Sequence, residues 1–531
     1  MVKSGLAYNF GLGFWGPNGH DGIWHIALAQ SIARGSLDMP VFAGSLLQNY
    51  HIGFDLLLAV MHKITQVPVL NLYFQIIPPV LAVLVGLLTY KFVLDWKKSE
   101  MQALWAVFFL YFGGSWSWLL SKGESAFWSQ QAVSTLVNPP FALSLVFLLL
   151  GLIFLQKRNI QYTIYSILCF GVLIQIKAYA GILVLGGLFI AGIFEYIKNK
   201  NLYLLKVFAG SFILSILFFL PTNRLSNSLL VLQPFWFLET MMGLSDRLGW
   251  DKYFSAMTNY RIGNNIKAIP AYGLAFLIFW FGNLGTRIVK EVLVIRWLRK
   301  PKIITWIEVF VASVIIVGVI IPLFFVQKGT PWNTIQFLYY ALFFSSILAG
   351  IVFGEFLEKR KTILIYIIIV VGLTLPTTFD TLKHYLPSRP PAMLSSNEQE
   401  ALKFLSKQPE GVILTYPFDK YKANEAAVNP PRPLYLYEST AYVSAFANKP
   451  VFLEDEVNLN ITGYDYKTRR SQVENFYKSL DQESVRRFLK ENEINYVYWV
   501  KPQRATLGET QLGIERIFEN KDVDIYKVIL K

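Results

Sequence analysis

Four of the five histidines, His20, His25, His51 and His62, fall within the first 62 residues, and Asp21 stands among them. Asp21 and His25 are i and i+4, so on a helix they share one face. A carboxylate and an imidazole placed this way can move protons. Together with His20 they could also offer ligands to a divalent metal ion. The plainer reading is that they hydrogen-bond locally and orient their helix. Lys177, in the run Gln175–Ile176–Lys177–Ala178–Tyr179–Ala180, is a lone cation between two apolar stretches. It could neutralise a phosphate or simply snorkel to water. Lys328 and Asn333 sit in Gln327–Lys328–Gly329–Thr330–Pro331–Trp332–Asn333, with Gln336 one turn further on. There Trp332 fits an interfacial aromatic.

The elements that would position these groups are dictated by composition. The chain has 531 residues, 54% hydrophobic and 16% charged, where soluble domains carry about 25% charged residues. Crossing about 30 Å of hydrocarbon takes about 20 apolar residues. Ten such spans are expected, at 72–94, 101–120, 138–156, 160–176, 178–197, 203–220, 272–286, 303–326, 333–353 and 361–377. The net charge of +14 could suggest a nucleic-acid partner. Much of the excess, however, lies in short loops between apolar runs, as positive-inside bias requires. The single cysteine, Cys169, excludes an intramolecular disulfide.

Lys97–Lys98, Lys157–Arg158, Lys198–Asn199–Lys200, Arg296 to Lys302 and Lys359–Arg360–Lys361 all fall on one side, which is expected to be cytoplasmic. The loops 121–137, around 177, 221–271 and 327–332 then face outward, as do residues 1–71 and 378–531. The outer loops hold Arg224, Arg247, Arg261 and Lys267, an amphipathic stretch at 233–244, and Gln130 and Gln131. Asn138 suits an N-cap and Pro139–Pro140 a first helical turn. Nothing in residues 1–20 resembles a signal peptide. The outward placement of the N-terminal segment therefore leads to the expectation of a further span encoded upstream.

Three parts are expected: an extracytoplasmic loop at 1–71, a transmembrane domain at 72–377 and a soluble extracytoplasmic α/β domain at 378–531. In the first part, 21–34 reads as an amphipathic juxtamembrane helix, and 53–64, which carries Asp55 and His62, as a second. The linker prolines Pro387, Pro390 and Pro391 precede the third part. There helices are expected at 396–407, 467–479 and 482–492, and strands at 412–416, 494–500, 514–519 and 523–529. Asp455, Asp465 and Arg469 read as solvated loop residues, with acceptor binding as the alternative.

This layout resembles the GT-C class of membrane glycosyltransferases, which includes protein O-mannosyltransferases and aminoarabinose transferases. Asn18–Gly19–His20–Asp21–Gly22–Ile23–Trp24–His25 is similar to that class's acidic first outer loop. Gln48–Asn49–Tyr50–His51–Ile52–Gly53–Phe54 is similar to its Tyr-containing run into the second juxtamembrane helix. Ser121 to Trp128 is similar to its second outer loop, with Glu124 as the counterpart acid. A lone Asp stands at 21, without the paired acid common in the class. The resemblance implies an α-helical polytopic GT-C-like fold and transfer of a sugar from a polyprenyl-phosphate-linked donor to an extracytoplasmic lipid, glycan or protein. It implies Asp21 and Glu124 as catalytic residues. Lys177, His25, His51, Lys328 and Asn333 are the candidates for substrate binding. A divalent metal is an optional cofactor, with His20, Asp21 and His25 as its candidate ligands. A transporter is a competing reading, although no internal repeat is visible. A non-catalytic scaffold with an outer binding domain is another.

Overall fold

The computed structural model describes residues 1–129, 138–223, 230–360, 363–479, 481–503 and 513–529. Gln130, Gln131, Arg224 and Lys361 lie outside the described residues. The chain divides into two compact units. One comprises Met1–Pro78, Thr222–Ser226 and Leu386–Lys531; the other comprises Pro79–Pro221 and Asn227–Tyr385.

Among the described residues, 8 helices are long and apolar enough to cross a membrane: Val69–Lys97, Pro139–Lys157, Ala178–Asn199, Tyr203–Thr222, Ala268–Arg299, Trp306–Phe324, Pro331–Glu358 and Leu364–Tyr385. The shorter apolar helices Glu100–Phe112 and Ile160–Ile176 occupy the two other expected spans. Side-chain caps start several of them. Ser99, Asn138 and Asn159 accept from the backbone N–H of Gln102, Phe141 and Tyr162, meeting donors that have no partner within the helix.

The second and seventh spans differ from expectation. The helix Glu100–Phe112 stops at Gly113–Gly114, and a separate 3₁₀ turn, Trp116–Leu120, follows under a Ser115 cap. The helix Ala268–Leu284 breaks at Gly285, which has φ 55° and lies so close to Gly114 that a Cβ there would meet the Gly114 carbonyl oxygen at 1.9 Å. A 3₁₀ turn over Gly285–Lys290 and a helix over Glu291–Arg299 continue the segment. The break leaves carbonyls without helical partners, and the buried Arg287 guanidinium donates to two of them, Leu284 O at 2.9 Å and Asn283 O at 2.5 Å. Elsewhere in this unit small residues bring helices together. Gly350 packs so tightly on Glu100–Phe112 that a Cβ would lie 2.2 Å from the Ala106 nitrogen, and one at Gly354 would lie 2.6 Å from Gln102 Cα. This is small-residue packing of the kind that joins helices within a bilayer.

In the other unit the N-terminal segment and the C-terminal domain form one body. Gly11–Phe14 pairs antiparallel with Ala392–Ser395, in a sheet completed by Leu6–Tyr8 and Arg432–Pro433. A second sheet runs in the order Val412–Thr415, Ile494–Val500, Val523–Val528, Ile514–Glu519; its first pair is parallel and the others antiparallel. Its strands and the helices Ser396–Ser406, Tyr466–Lys478 and Gln482–Glu491 follow the sequence expectation closely. The expectation for 21–34 needs correction. The helix Asp21–Ala33 is buried along Gly22 to Ala29 rather than on one stripe. Within this unit it packs against Gly53–Thr65 and the short helix Tyr442–Ala447, so its flanks are covered by protein where an interfacial helix would meet water.

Candidate functional site

Asp21 is the first residue of its helix, where a carboxylate is favoured by the N-terminal end of the helix dipole. Its side chain is 52% exposed, and its Oδ1 lies 2.7 Å from His20 Nδ1. The His20 imidazole is therefore balanced between opposing influences. Burial pulls its pKa down, but the Asp21 charge and hydrogen bond, reinforced by Asp455, raise it above the ordinary value against the pull of Arg432.

The other residues around His20 come from the C-terminal domain. The Tyr437 ring centre is 6.2 Å from the imidazole, and the Arg432 guanidinium sits 3.5 Å over Tyr437. Thr440 directs its hydroxyl at the Gly19 carbonyl, 3.5 Å away. Tyr437, Thr440, Glu454 and Asp455 line a cavity shared with Tyr416 and Tyr498. Asp455 departs from the solvated-loop reading, being only 3% exposed. Its backbone is left-handed at φ 52°, and it caps the helix Glu456–Thr462 through Asn458. The segment is held by residues 40–43: Ala43 N–H donates to Val451 O, Val451 N–H to Pro40 O, and Glu454 N–H to Val41 O. Burial pushes the Asp455 carboxyl up to about 7 and that of Glu454 up to about 8. Glu454 accepts from the N–H groups of Val443 and Ser444 at 2.8 and 3.1 Å. By contrast, Asp465 is exposed. Arg469 stacks its guanidinium 3.5 Å over Phe42 and donates to the Phe452 carbonyl at 2.7 Å.

One turn along the helix from Asp21, His25 is committed elsewhere. Its Nδ1 lies 2.7 Å from Asp55 Oδ1, and the two side chains are 6% and 0% exposed. The imidazole stacks on Tyr73 at 5.7 Å and meets Phe54 edge-on at 5.9 Å. Tyr50 lies 6.3 Å from His25, with His51 against it at 4.6 Å. Burial raises the pKa of Tyr50 well above its ordinary value, and the Asp55 and Asp21 charges add to this. Burial also raises Asp55, while His25 opposes it.

His20, Asp21 and His25 do not make a joint metal site. His20 and Asp21 hold each other, while His25 turns to Asp55. Among the described residues, no group of three or more His, Cys, Asp or Glu side chains is placed to hold a metal ion.

The remaining candidates belong to the other unit. Glu124 is buried, and its Oε2 accepts from the Thr381 hydroxyl at 3.0 Å. Its carbonyl accepts from Ser115 and Ser117, both at 2.9 Å. Nearby, Arg247 lies 4.2 Å over Trp128 and donates to Ser125 Oγ. Arg261 pairs with Glu239 at 2.6 Å, on the helix Trp236–Gly243 that forms from the expected amphipathic stretch. Lys177 is buried, with extended backbone between two helices, and its ammonium is 5.7 Å from the Tyr179 ring. Tyr179 donates to Gln327 Oε1 at 2.9 Å, which ties the Lys177 turn to the strand Phe325–Gln327. Lys328 follows that strand and is exposed, and Asn333 donates to Thr330 Oγ1 at 3.1 Å.

Sequence reasoning did not single out Asp55 or Glu454 as site residues, and it gave Asp455 acceptor binding only as the alternative to a solvated loop. For Asp55 a signal was present, since a carboxylate inside Gly53–Phe54–Asp55–Leu56–Leu57–Leu58 must find a partner if that helix is buried. For the acids of Leu453–Glu454–Asp455–Glu456 no local signal separates burial from exposure.

No protein-family model matches the chain, and no curated protein matches it in sequence. Solved structures do match its fold. The oligosaccharyltransferase of Archaeoglobus fulgidus in its apo form is 12% identical with a TM-score of 0.51, covering 94% of this chain and 68% of that chain. The same enzyme in complex with Zn and sulfate is 13% identical with a TM-score of 0.53, over 94% and 66%. As AglB in complex with an inhibitory peptide and a dolichol-phosphate, it is 12% identical with a TM-score of 0.50, over 94% and 67%. The chain thus spans about two thirds of the length of these similar structures. The likeness shows the fold. The chain is a multi-pass membrane protein with a GT-C-type fold, combining a helical membrane domain and a C-terminal α/β region.

Proposed function

We propose that this protein is a membrane glycosyltransferase that moves a sugar from a polyprenyl-phosphate-linked donor to an acceptor hydroxyl on the extracytoplasmic side. The observation that carries the proposal is the exposed Asp21 carboxylate, held at a helix N-terminus by its hydrogen bond to His20. The GT-C-type fold supports it. So does the dolichol-phosphate bound by the similar A. fulgidus enzyme.

In this reading Asp21 takes the proton of the acceptor hydroxyl as its oxygen bonds to the anomeric carbon. The bond from that carbon to the phosphate oxygen breaks, and polyprenyl phosphate leaves with the electron pair. General-base assistance of this kind contributes about 10²–10⁴-fold. His20 keeps Asp21 oriented, and the charge of Asp455 favours the protonated imidazole. His25 and His51, grouped around Tyr50, serve the sugar. Lys177 and Lys328 are assigned to the donor phosphate, Asn333 to polar contacts of the donor, and Glu124 to positioning the acceptor or sharing its proton with Asp21. No step is routed through a metal, because His20, Asp21 and His25 do not converge on one point.

The test is release of polyprenyl phosphate from a labelled lipid-linked sugar by the purified full-length protein. Wild type should release it, and Asp21→Asn at equal expression should lose about 10²–10⁴-fold of that rate. Equal rates would remove Asp21 from the mechanism.

A further inference from the structure

The proposed reaction uses Asp21, yet among the described ion pairs of the same unit the most deeply buried is His25 with Asp55. Asp55 has no exposed side-chain surface, lies at the start of the helix Gly53–Thr65, and meets an imidazole 30 positions away in sequence at 2.7 Å. A buried carboxylate costs several kcal/mol unless it is paired, and an aromatic or aliphatic residue here would pin the two helices as well. The geometry suggests a more specific use. Nδ1 is taken by Asp55 Oδ1, and Tyr73, stacked at 5.7 Å, with Phe54, edge-on at 5.9 Å, fixes the ring plane. An ionised Asp55 can only accept, which puts the hydrogen on Nδ1. In a neutral ring Nε2 is then a bare acceptor, because the partner of one nitrogen sets the state of the other.

We propose that Asp55 is a positioning residue that locks His25 as the Nδ1–H tautomer, so that Nε2 accepts a hydrogen bond from a hydroxyl of the transferred sugar. This rests on the reading of the protein as a glycosyltransferase and narrows it. The group that His25 recognises is a hydroxyl donor on the sugar, whereas a phosphate would demand an N–H from the imidazole. Neither Asp55 nor His25 takes part in bond making.

The experiment is ¹⁵N NMR of the full-length protein labelled at its five histidines, in detergent, with His25 assigned as the signal absent from His25→Gln. Wild type should show a protonated Nδ1 and an unprotonated Nε2. In Asp55→Asn the amide can donate to Nδ1, so the hydrogen should move to Nε2. Adding a short-chain polyprenyl-phosphate sugar should shift the wild-type Nε2 signal, whereas the same polyprenyl phosphate without sugar should not. In the transfer assay Asp55→Asn should raise KM on the order of tenfold and change kcat little, the pattern of lost ground-state binding. A purely structural pin would lower thermal stability without moving the tautomer. A protonated Nε2 in wild type, an unchanged tautomer in Asp55→Asn, or an equal response to the sugar-free lipid would overturn the proposal. A locked Nδ1–H tautomer in a protein that binds the lipid-linked sugar but transfers none would overturn the glycosyltransferase reading and leave the role of Asp55 standing.

Discussion

Glu454→Gln should make the protein more stable as pH rises. Burial beside Asp455 holds the Glu454 carboxyl at about 8, against an ordinary 4.5. Above the ordinary value the unfolded chain has released this proton while the folded unit retains it. Folding is then penalised by about 1.4 kcal/mol for each pH unit, from about 4.5 until the folded group ionises near 8. Between pH 5 and pH 8 the wild type should therefore lose about 4 kcal/mol through this one group. Val443 and Ser444 N–H donate to different carboxylate oxygens, at 2.8 and 3.1 Å; glutamine keeps an acceptor for one and turns its NH2 to the other, a cost that does not vary with pH, and it does not titrate. At about 2–4 °C per kcal/mol for a unit of this size, the variant should gain roughly 10 °C on wild type over that interval. Intrinsic-fluorescence melting of the full-length protein in detergent, from pH 5 to 8.5, measures the difference. Asp455, Glu398 and His20 are also raised. Their stabilising contribution is likewise lost as pH rises, so the wild-type curve should fall; the gap between wild type and variant isolates Glu454. A gap independent of pH would refute the reasoning.

Three other outcomes follow from the packing and the proposed roles. Gly350→Ala places a Cβ 2.2 Å from the Ala106 backbone nitrogen; it should cost about 1–3 kcal/mol, read as a lower melting temperature of the membrane domain, while Gly372→Ala, with nothing near its Cβ, should be silent. Arg469→Lys loses a planar cation stacked on Phe42 and Phe452 and should destabilise the unit by about 1–2 kcal/mol, measured by the same melting. Lys177→Met should raise KM for the lipid-linked donor on the order of tenfold or more if its charge meets the phosphate; an unchanged KM would assign it to snorkelling.

Much of the membrane architecture was legible because length and hydropathy decide it. Each of the ten expected spans corresponds to an apolar helix. The breaks after Phe112 and Leu284 were not legible, since they arise where Gly114 and Gly285 meet, a close approach between segments far apart in sequence. Strands such as Ile494–Val500 could be read from alternation and β-branched content, and the helix opening at Ser396 from its capping chemistry, although the cap itself is Ser395. The strand Ala392–Ser395 could not, because its antiparallel partner Gly11–Phe14 lies at the other end of the chain. The same reason hid part of the candidate site. Asp21 and His25 announced themselves by spacing, but their surroundings are set by the fold: His25 turns to Asp55, and His20, which holds Asp21, feels the charge of Asp455. The acids at 454 and 455 look like a solvated loop until residues 40–43 cover them.

The most direct test of the central claim is transfer by full-length protein in liposomes. A polyprenyl-phosphate-linked radiolabelled sugar would be supplied, and labelled product and freed polyprenyl phosphate counted for wild type and Asp21→Asn. The account predicts stoichiometric appearance of both with wild type and a loss of about 10²–10⁴-fold with the variant. Equal turnover by the two proteins, or no turnover by a wild type that binds the donor, would contradict it.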